Sequence, residues 1–355
     1  MEIQENIALA PLTTFNVGGP ARFFAEAHNE RDVQQAVAHA AARRLPLFVL
    51  GGGSNLVIAD AGWPGLVLKA ALRGVEFEGD SQKMLFHAGA GEDWDSLVAL
   101  AVSRNCAGIE CLSGIPGTVG GTPIQNVGAY GQEVSQTITR VRALEIANGN
   151  TVELSNADCG FAYRTSKLNT SMRGRYIVLE VDYLLHRNGA PTIEYADLQK
   201  FFAEPGSDMP PKLQQVRDAV RCIRQSKAML IVPGDEDCRS AGSFFKNPLV
   251  SQAEADRIQA LAEKRVPEKP LPRYPGENGT VKLAAAWLVE QSGFHKGLSR
   301  GPVGISRKHA LAIVNRGGAT AKDIHAFMEE IQHRVFDIWG VSLHPEPVFV
   351  GFKEV

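Results

Sequence analysis

Cysteine is sparse and unpatterned in this chain. Cys106, Cys111, Cys159, Cys222 and Cys238 are odd in number, scattered, and form no CxxC. That argues against a metal cluster or a disulfide frame and for a reducing compartment. No cluster of five or six Lys and Arg exists and the net charge is −2, so a nucleic-acid partner is not suggested. No apolar run approaches the ~18 residues that span a bilayer, so no membrane association is expected. The opening MEIQENIALAPLTTF has neither a basic start nor an apolar h-region, so no signal peptide is read. Familiar catalytic signatures are missing too. There is no HExxH, no GxSxG around Ser243, and no GK[ST] after the glycine run at 51–53. These absences leave zinc peptidase, nucleophile-elbow hydrolase and P-loop readings without support. The expectation is a soluble cytoplasmic protein.

What the chain does contain is ordinary globular composition and an unusual use of glycine. Of 355 residues, 44% are hydrophobic and 21% charged, enough for two or three domains with real cores. Residues 29–44 predict a helix capped by Asn29, with Val33, Val37, Ala40 and Ala41 on one face. LPLFVL at 45–50 predicts a buried strand, and LVIAD and GLVLKA two short ones, giving a compact β-α-β-β unit. Further on, 84–88 predicts a strand and 93–105 a helix. Residues 140–147 and 151–154 predict a hairpin about Asn148-Gly149-Asn150. A long strand is expected at 175–186 and a helix at 212–227. Pro233 to Asp237 reads as a joint between domains. After it come helices at 252–264 and 283–291 around a proline-rich connection, strands at 303–305 and 310–314, and a helix at 320–339 capped by Thr320 with Asp323. The tail reads as a strand interrupted by prolines either side of Glu346.

Two glycine loops stand out. GGGSN (Gly51, Gly52, Gly53, Ser54, Asn55) follows a strand; its amides suit an anion, and it reads equally as a tight inter-strand turn. The stretch 112–132, LSGIPGTVGGTPIQNVGAYGQ, has no helix or strand period and no Lys or Arg. Its amides suit a second phosphate or the edge of a flat ring, with Gln125 and Asn126 for ring heteroatoms; the alternative is a structural Ω-loop. Together the loops suggest one large diphosphate cofactor. Ser243 in AGSFFKNP, after a glycine and before two Phe, suits a proton donor in a dry site, or simply a turn. Arg164 in FAYRTSK has the fork that grips carboxylates and phosphates. Glu346 is fixed between prolines, as an acid or base needs to be. His309 precedes a buried strand.

The motifs GGGSNLVIAD, GIPGTVGGTPIQNVGAYGQE, FAYRTSK, AGSFFKNP, KLAAAWLVEQSG and HALAIVN, in this order, closely resemble the UDP-N-acetylenolpyruvoylglucosamine reductases, over about 15–349. IEYADL around Tyr195 resembles their longer subtype, in which a tyrosine-bearing loop closes over the substrate. The resemblance implies an α+β fold: a two-lobe FAD-binding unit of the vanillyl-alcohol oxidase type plus an α+β substrate-binding domain. It implies lobes at 1–71 and 72–228, with the C-terminal strand 340–355 returning to the second lobe, and a substrate-binding domain at 229–339. It implies FAD as cofactor, NADPH as co-substrate, a UDP-sugar as substrate, no metal, and a monomer or weak oligomer making UDP-N-acetylmuramate for peptidoglycan. By the same resemblance Gly51 to Asn55 hold the FAD diphosphate, while Ile115, Pro116, Gly117, Gly121, Gln125, Asn126, Gly128, Ala129 and Val178 line the flavin and its chain. Ser243 delivers a proton to substrate C2, and Arg164 and Glu346 bind and polarise the carboxylate. Tyr130, Tyr195, Arg224, Lys227, Asn247 and His309 meet the UDP-sugar. Val348 stands where the family often has a basic residue. Two other classes remain open to test: another flavin oxidase of the same fold, against which the lack of a covalent-attachment motif weighs, and a non-catalytic nucleotide-sugar binder, against which the set Arg164, Ser243 and Glu346 weighs.

Overall fold

The computed structural model describes residues 1–203, 210–276 and 279–352 and divides into two compact units. The first comprises Met1–Ala8, Pro20–Gly53 and Trp63–Ile231; the second comprises Leu9–Gly19, Ser54–Gly62 and the residues from Val232 onward.

The first unit holds two main sheets. One runs in the order Gln4–Ala8, Pro20–Ala27, Trp63–Ala70, Leu47–Leu50, antiparallel at the first pair and parallel thereafter. The helix Glu30–Ala42 covers it, started by Asn29, whose Oδ1 accepts from the Asp32 amide at 3.0 Å and so satisfies a donor that the first turn leaves unpaired. Ala25, Val33, Ala36, Leu66 and Leu68 fill the space between. The second sheet is antiparallel, in the order Thr151–Ser155, Ile138–Glu145, Tyr176–Arg187, Lys83–Gly89, Val75–Gly79, with Cys106–Ala107 beside the long third strand. The Asp93-capped helix Trp94–Ser103 buries Trp94, Leu97 and Val98 against Phe86, Val181 and Tyr183. The helices Ala196–Phe202 and Leu213–Ser226 share a smaller core of Leu198, Phe202, Val216 and Val220 with Tyr130.

In the second unit, helices Gln252–Arg265, Ala285–Gln291 and Ala321–Trp339 surround two small antiparallel sheets. Ile258, Leu288, Phe327, Ile331 and Trp339 form the core with Phe15, Val17 and Val57 from the two early segments. The Thr320–Asp323 capping box is present. None of the helices described is long and apolar enough to cross a membrane.

Several expectations change. Residues 47–49 are only partly buried, because their strand lies at a sheet edge. The β-α-β-β unit does not stay together: Leu56–Ile58 leaves the sheet of its neighbours and pairs in parallel with Val348–Val350. The tail therefore returns to this strand rather than to the 72–228 sheets, and the proline-flanked stretch before it bridges residues 244–246 instead, with the Glu346 amide on the Phe244 carbonyl and the Lys246 amide on the His344 carbonyl. Strands at Gln4–Ala8, Pro20–Ala27, Val75–Gly79, Arg273–Pro275 and Val281–Leu283 were not expected. Leu283 accordingly belongs to a strand, and the helix assigned to 283–291 begins at Ala285. The second strand expected at 310–314 is shifted to Ile313–Asn315.

Candidate functional site

The first glycine loop leaves the Leu47–Leu50 strand and meets the second main chain to main chain. A Cβ on Gly52 would lie 2.6 Å from Gly117 Cα, and one on Gly51 would lie 2.9 Å from Thr118 Oγ1. Only glycine permits that approach. Gly52 and Gly121 are exposed, and Gly121 has open space above it. No acidic side chain occurs in 51–55 or 113–121; the Gly114, Val119, Gly120 and Gly121 amides already donate, to Asp95 and to the Glu92, Ala90 and Thr118 carbonyls, so the donor set that fits a diphosphate is that of the 51–53 turn. The 114–118 turn is anchored by Asp95, a residue the sequence reading passed over. Its carboxylate accepts from the Gly114 amide at 2.6 Å, from Arg217 at 2.6 and 2.9 Å, and from Arg221. Burial raises the Asp95 pKa, but the Arg217 and Gly114 hydrogen bonds and the two guanidinium charges outweigh it and hold the carboxyl below its usual range. Ile115, Pro116 and Gln125 are half-buried along this loop, while Val178 is buried within the adjacent sheet core.

Residues 128–133 close a hairpin that the sequence concealed. Gly128–Ala129 pairs with Gln132–Glu133, and both turn residues, Tyr130 and Gly131, sit at positive φ (51° and 89°), the signature of a type I′ turn. Asn126, expected at the flavin ring, is 1% exposed with its side chain engaged internally. Its Nδ2 donates to Glu133 Oε2 at 2.8 Å and to the Ala162 carbonyl at 3.1 Å, and its Oδ1 accepts from the Ser135 amide at 3.1 Å. Ala162 opens a two-residue turn, closed by reciprocal bonds with Thr165 at 3.0 and 3.1 Å, with Arg164 at its tip at φ 53°. Asn126 thus fixes the turn that presents Arg164. The guanidinium passes directly over Gly128, where a Cβ would fall 2.9 Å from Arg164 Nη1. Three non-glycine residues held at positive φ (Asn126, Tyr130 and Arg164) lie in these two turns or bonded to them, a concentration of backbone strain typical of working sites.

The tyrosines form a third group. Tyr130 is buried and meets Tyr195 edge-on, with ring centroids 5.4 Å apart. Tyr195 is 46% exposed and ends the irregular stretch 188–195, at the N-cap of the Ala196–Phe202 helix. Lys227 Nζ donates to Asp197 at 2.6 Å, an acid the sequence reading also missed although it lies two residues after Tyr195. Burial pulls the Lys227 pKa down, but the Asp197 hydrogen bond and charge more than offset it, and the amine stays protonated to higher pH than usual. Arg224 is buried, with Nε on the Gly114 carbonyl at 3.1 Å and Nη2 on the Met229 carbonyl at 2.7 Å. Burial lowers its pKa, partly countered by Tyr130 and Asp95. The bond to Gly114 braces the glycine loop, and the guanidinium also bonds Tyr130.

The second unit carries Ser243 and Glu346 on one hydrogen-bonded scaffold. Gly242, at φ 74°, turns the chain into Ser243. The next residue, Phe244, is wholly buried; its amide donates to the Leu311 carbonyl and its carbonyl accepts from the Glu346 amide, both at 2.8 Å. Asn55 Nδ2 holds the Glu346 carbonyl at 3.2 Å, and the Val348 amide donates to the Asn55 carbonyl at 2.9 Å. Ser54 offers its carbonyl to Thr14 Oγ1 at 3.2 Å. Asn247 Oδ1 accepts from the Ala285 amide at 2.9 Å and so starts the Ala285–Gln291 helix. His309 Nε2 lies 2.9 Å from Ser243 Oγ, a contact between residues 66 apart that no sequence signal announced. Among the described residues His87, Glu180 and Asp182 are grouped as metal ligands would be, but Arg140 donates to both acids, at 2.9 and 2.6 Å, and His87 Nδ1 lies 2.9 Å from Asp182 Oδ1, so the group is already paired within the protein.

Comparison with known proteins bears on what these groups serve. Residues 233–350 match the family model described as UDP-N-acetylenolpyruvoylglucosamine reductase, C-terminal domain, and residues 21–155 match one described as FAD binding domain. The chain is similar to the UDP-N-acetylenolpyruvoylglucosamine reductase of Thermobifida fusca, with 46% identity over 349 residues, covering 98% of this chain and 97% of that protein. Its similarity to the Mycobacterium tuberculosis protein of that name is 42% over 361 residues, covering 98% and 95%. The crystal structure of the Thermus caldophilus reductase aligns with a TM-score of 0.67 at 25% identity, covering 99% of each chain.

Proposed function

The chain belongs to the UDP-N-acetylenolpyruvoylglucosamine reductase family, and from that premise we propose that it reduces the enolpyruvyl group of UDP-N-acetylglucosamine enolpyruvate to give UDP-N-acetylmuramate for peptidoglycan. It is an FAD-dependent oxidoreductase with NADPH as co-substrate. When bound, FAD carries the hydride from NADPH to the enolpyruvyl group. The glycine turns at 51–53 and 114–121 are the natural seat of its diphosphate and flavin ends, because their main chains approach closely and neither turn carries an acidic side chain of its own.

The protein's own residues have the remaining work. A vinyl ether bearing a carboxylate accepts hydride poorly until the charge that develops towards the carboxylate is stabilised. Arg164, fixed by its turn and by Asn126, supplies a planar cation suited to both carboxylate oxygens. Glu346, held by its main chain to Phe244 and Asn55, polarises the same group from a rigid position. Ser243 donates the proton that the substrate C2 carbon needs. Lys227 and Tyr195 are assigned to the UDP-sugar. The observation that carries the proposal is the full-length kinship at 46% identity; the strained Arg164 turn and the Ser243–Phe244–Glu346 scaffold support its assignment to residues.

The test is direct. Purified protein should show flavin absorbance and consume NADPH faster when UDP-N-acetylglucosamine enolpyruvate is added. A yellow protein whose NADPH consumption ignores that substrate would overturn the proposal.

A further inference from the structure

A serine hydroxyl is a very weak acid, and as a proton donor it has two difficulties. It gives up its proton only to a strongly basic centre, and it must then be restored before the next turnover. The structure supplies a partner for both. His309 Nε2 lies 2.9 Å from Ser243 Oγ, and both residues are half-buried. The two side chains are placed by main-chain restraints. Ser243 is fixed by Gly242 on one side and by the Phe244 amide, bonded to the Leu311 carbonyl, on the other. His309 is fixed by Ser306, itself wholly buried, whose Oγ accepts from the Lys308 and His309 amides at 3.1 and 3.3 Å. The His309 carbonyl also accepts from the Ala312 amide at 3.2 Å. Because Leu311 lies two residues from His309, the bond that fixes Ser243 also fixes the register of the histidine beside it.

We propose that His309 is the proton source behind Ser243: a positioning and relay residue that acts through the serine. The inference rests on the assignment of Ser243 as the C2 proton donor. In the step, the electron pair at substrate C2 takes the Ser243 Oγ proton, forming C2–H and leaving the O–H pair on Oγ. The imidazolium of His309 passes its Nε2 proton to Oγ, remaking the hydroxyl, and the N–H pair stays on the ring as neutral imidazole. Solvent then returns a proton to the imidazole. No electrons change hands in this sequence; the redox change is complete when the hydride arrives. A protonated Nε2 also fits the geometry, because it donates to Oγ and thereby turns the serine O–H outward as a donor.

This differs from a role for His309 against the UDP-sugar, and the two separate experimentally. Reduced enzyme is mixed with substrate and flavin reoxidation is followed in a single turnover. His309→Ala should slow that step about 10²-fold, and free imidazole should restore it saturably. His309→Gln keeps a hydrogen-bonding side chain without a transferable proton, so it should stay slow. The substrate Kd of both variants, read from the change in the oxidised flavin spectrum, should remain within about threefold of wild type. Separately, the His309 ring 15N shifts in flavin-free protein should move in Ser243→Ala, a readout independent of turnover. Wild-type reoxidation in His309→Gln, or failure of imidazole to restore His309→Ala, overturns the relay. A large rise in substrate Kd without a loss of maximal rate assigns His309 to binding instead and also overturns it. If Ser243→Ala itself reoxidises at the wild-type rate, the assignment of Ser243 fails, which is a different outcome from a slow Ser243→Ala beside normal His309 variants.

Discussion

Arg164→Gly separates the folding role of a residue from its chemical role. Arg164 occupies the tip of a two-residue turn at φ 53°, a conformation that costs a side-chain-bearing residue about 1–2 kcal/mol. Glycine removes that strain but frees the unfolded chain, at about 0.5–1 kcal/mol. The substitution also deletes the contact of the guanidinium with the Tyr163 ring, 5.3 Å away, worth about 0.5 kcal/mol at an exposed site. The turn itself is held by main-chain bonds between Ala162 and Thr165 and by Asn126, none of which the substitution touches. These terms together come to a stability change within about 1 kcal/mol, a shift of about 2–4 °C in Tm. Substrate reduction, in contrast, should fall about 10²–10³-fold through loss of the cation that stabilises developing charge. Thermal unfolding and stopped-flow reoxidation of the flavin by substrate measure the two quantities on the same preparation. A Tm lowered by more than about 5 °C would show that the side chain holds the fold together, and near-normal reoxidation would remove Arg164 from the chemistry. Either result refutes the reasoning.

Gly128→Ala should slow substrate reduction about tenfold or more while leaving flavin reduction by NADPH near wild type, because the new Cβ would sit 2.9 Å from Arg164 Nη1 and 2.8 Å from Glu133 Cγ and must displace them; rapid-mixing measurement of each half-reaction decides it. Gly52→Ala drives a methyl to 2.6 Å from the Gly117 Cα and should weaken FAD retention about 10-fold or more at a strain of about 1–3 kcal/mol, read as flavin-to-protein ratio after gel filtration. Asp95→Asn should cost about 2 kcal/mol at pH 7, less than a fully buried pair because the Asp95 side chain is 25% exposed. The sign follows from the depressed Asp95 pKa: its contribution is complete above the unfolded value near pH 4 and is lost as pH falls through the lower folded value, so the gap between variant and wild type in urea titrations should shrink below pH 4.

The parts of the fold that were legible were the local ones. Asn29, Asp93 and Thr320 announce their helices because a cap acts on an amide two or three residues away. Ser243 and Glu346 are visible as chemically suggestive residues in glycine and proline settings. Illegible was whatever depends on a distant partner. Leu56–Ile58 reads as a neighbour of the strands beside it, yet its partner is Val348–Val350. Asn126 has the donors and acceptors of a ligand-binding amide, and only the fold reveals that Glu133, Ser135 and Ala162 take them. The Gly128–Glu133 hairpin escaped because its turn begins with tyrosine, a residue that turn propensities disfavour at positive φ.

The second compact unit borrows Leu9–Gly19 and Ser54–Gly62 from the start of the chain, and Phe15, Val17 and Val57 lie in its core. During synthesis those two stretches emerge long before the residues they pack with. The nascent chain therefore carries unsatisfied apolar side chains and an unpaired Leu56–Ile58 edge until the last strand, Val348–Val350, has been made. A fragment beginning at Val232 would lack part of its own interior and one strand of its own sheet, so cutting the gene at that apparent joint is expected to yield insoluble protein rather than an autonomous half. Chaperone demand and sensitivity to C-terminal truncation follow from the same thread: the final few strand residues complete a core whose first pieces were laid down at residue 9.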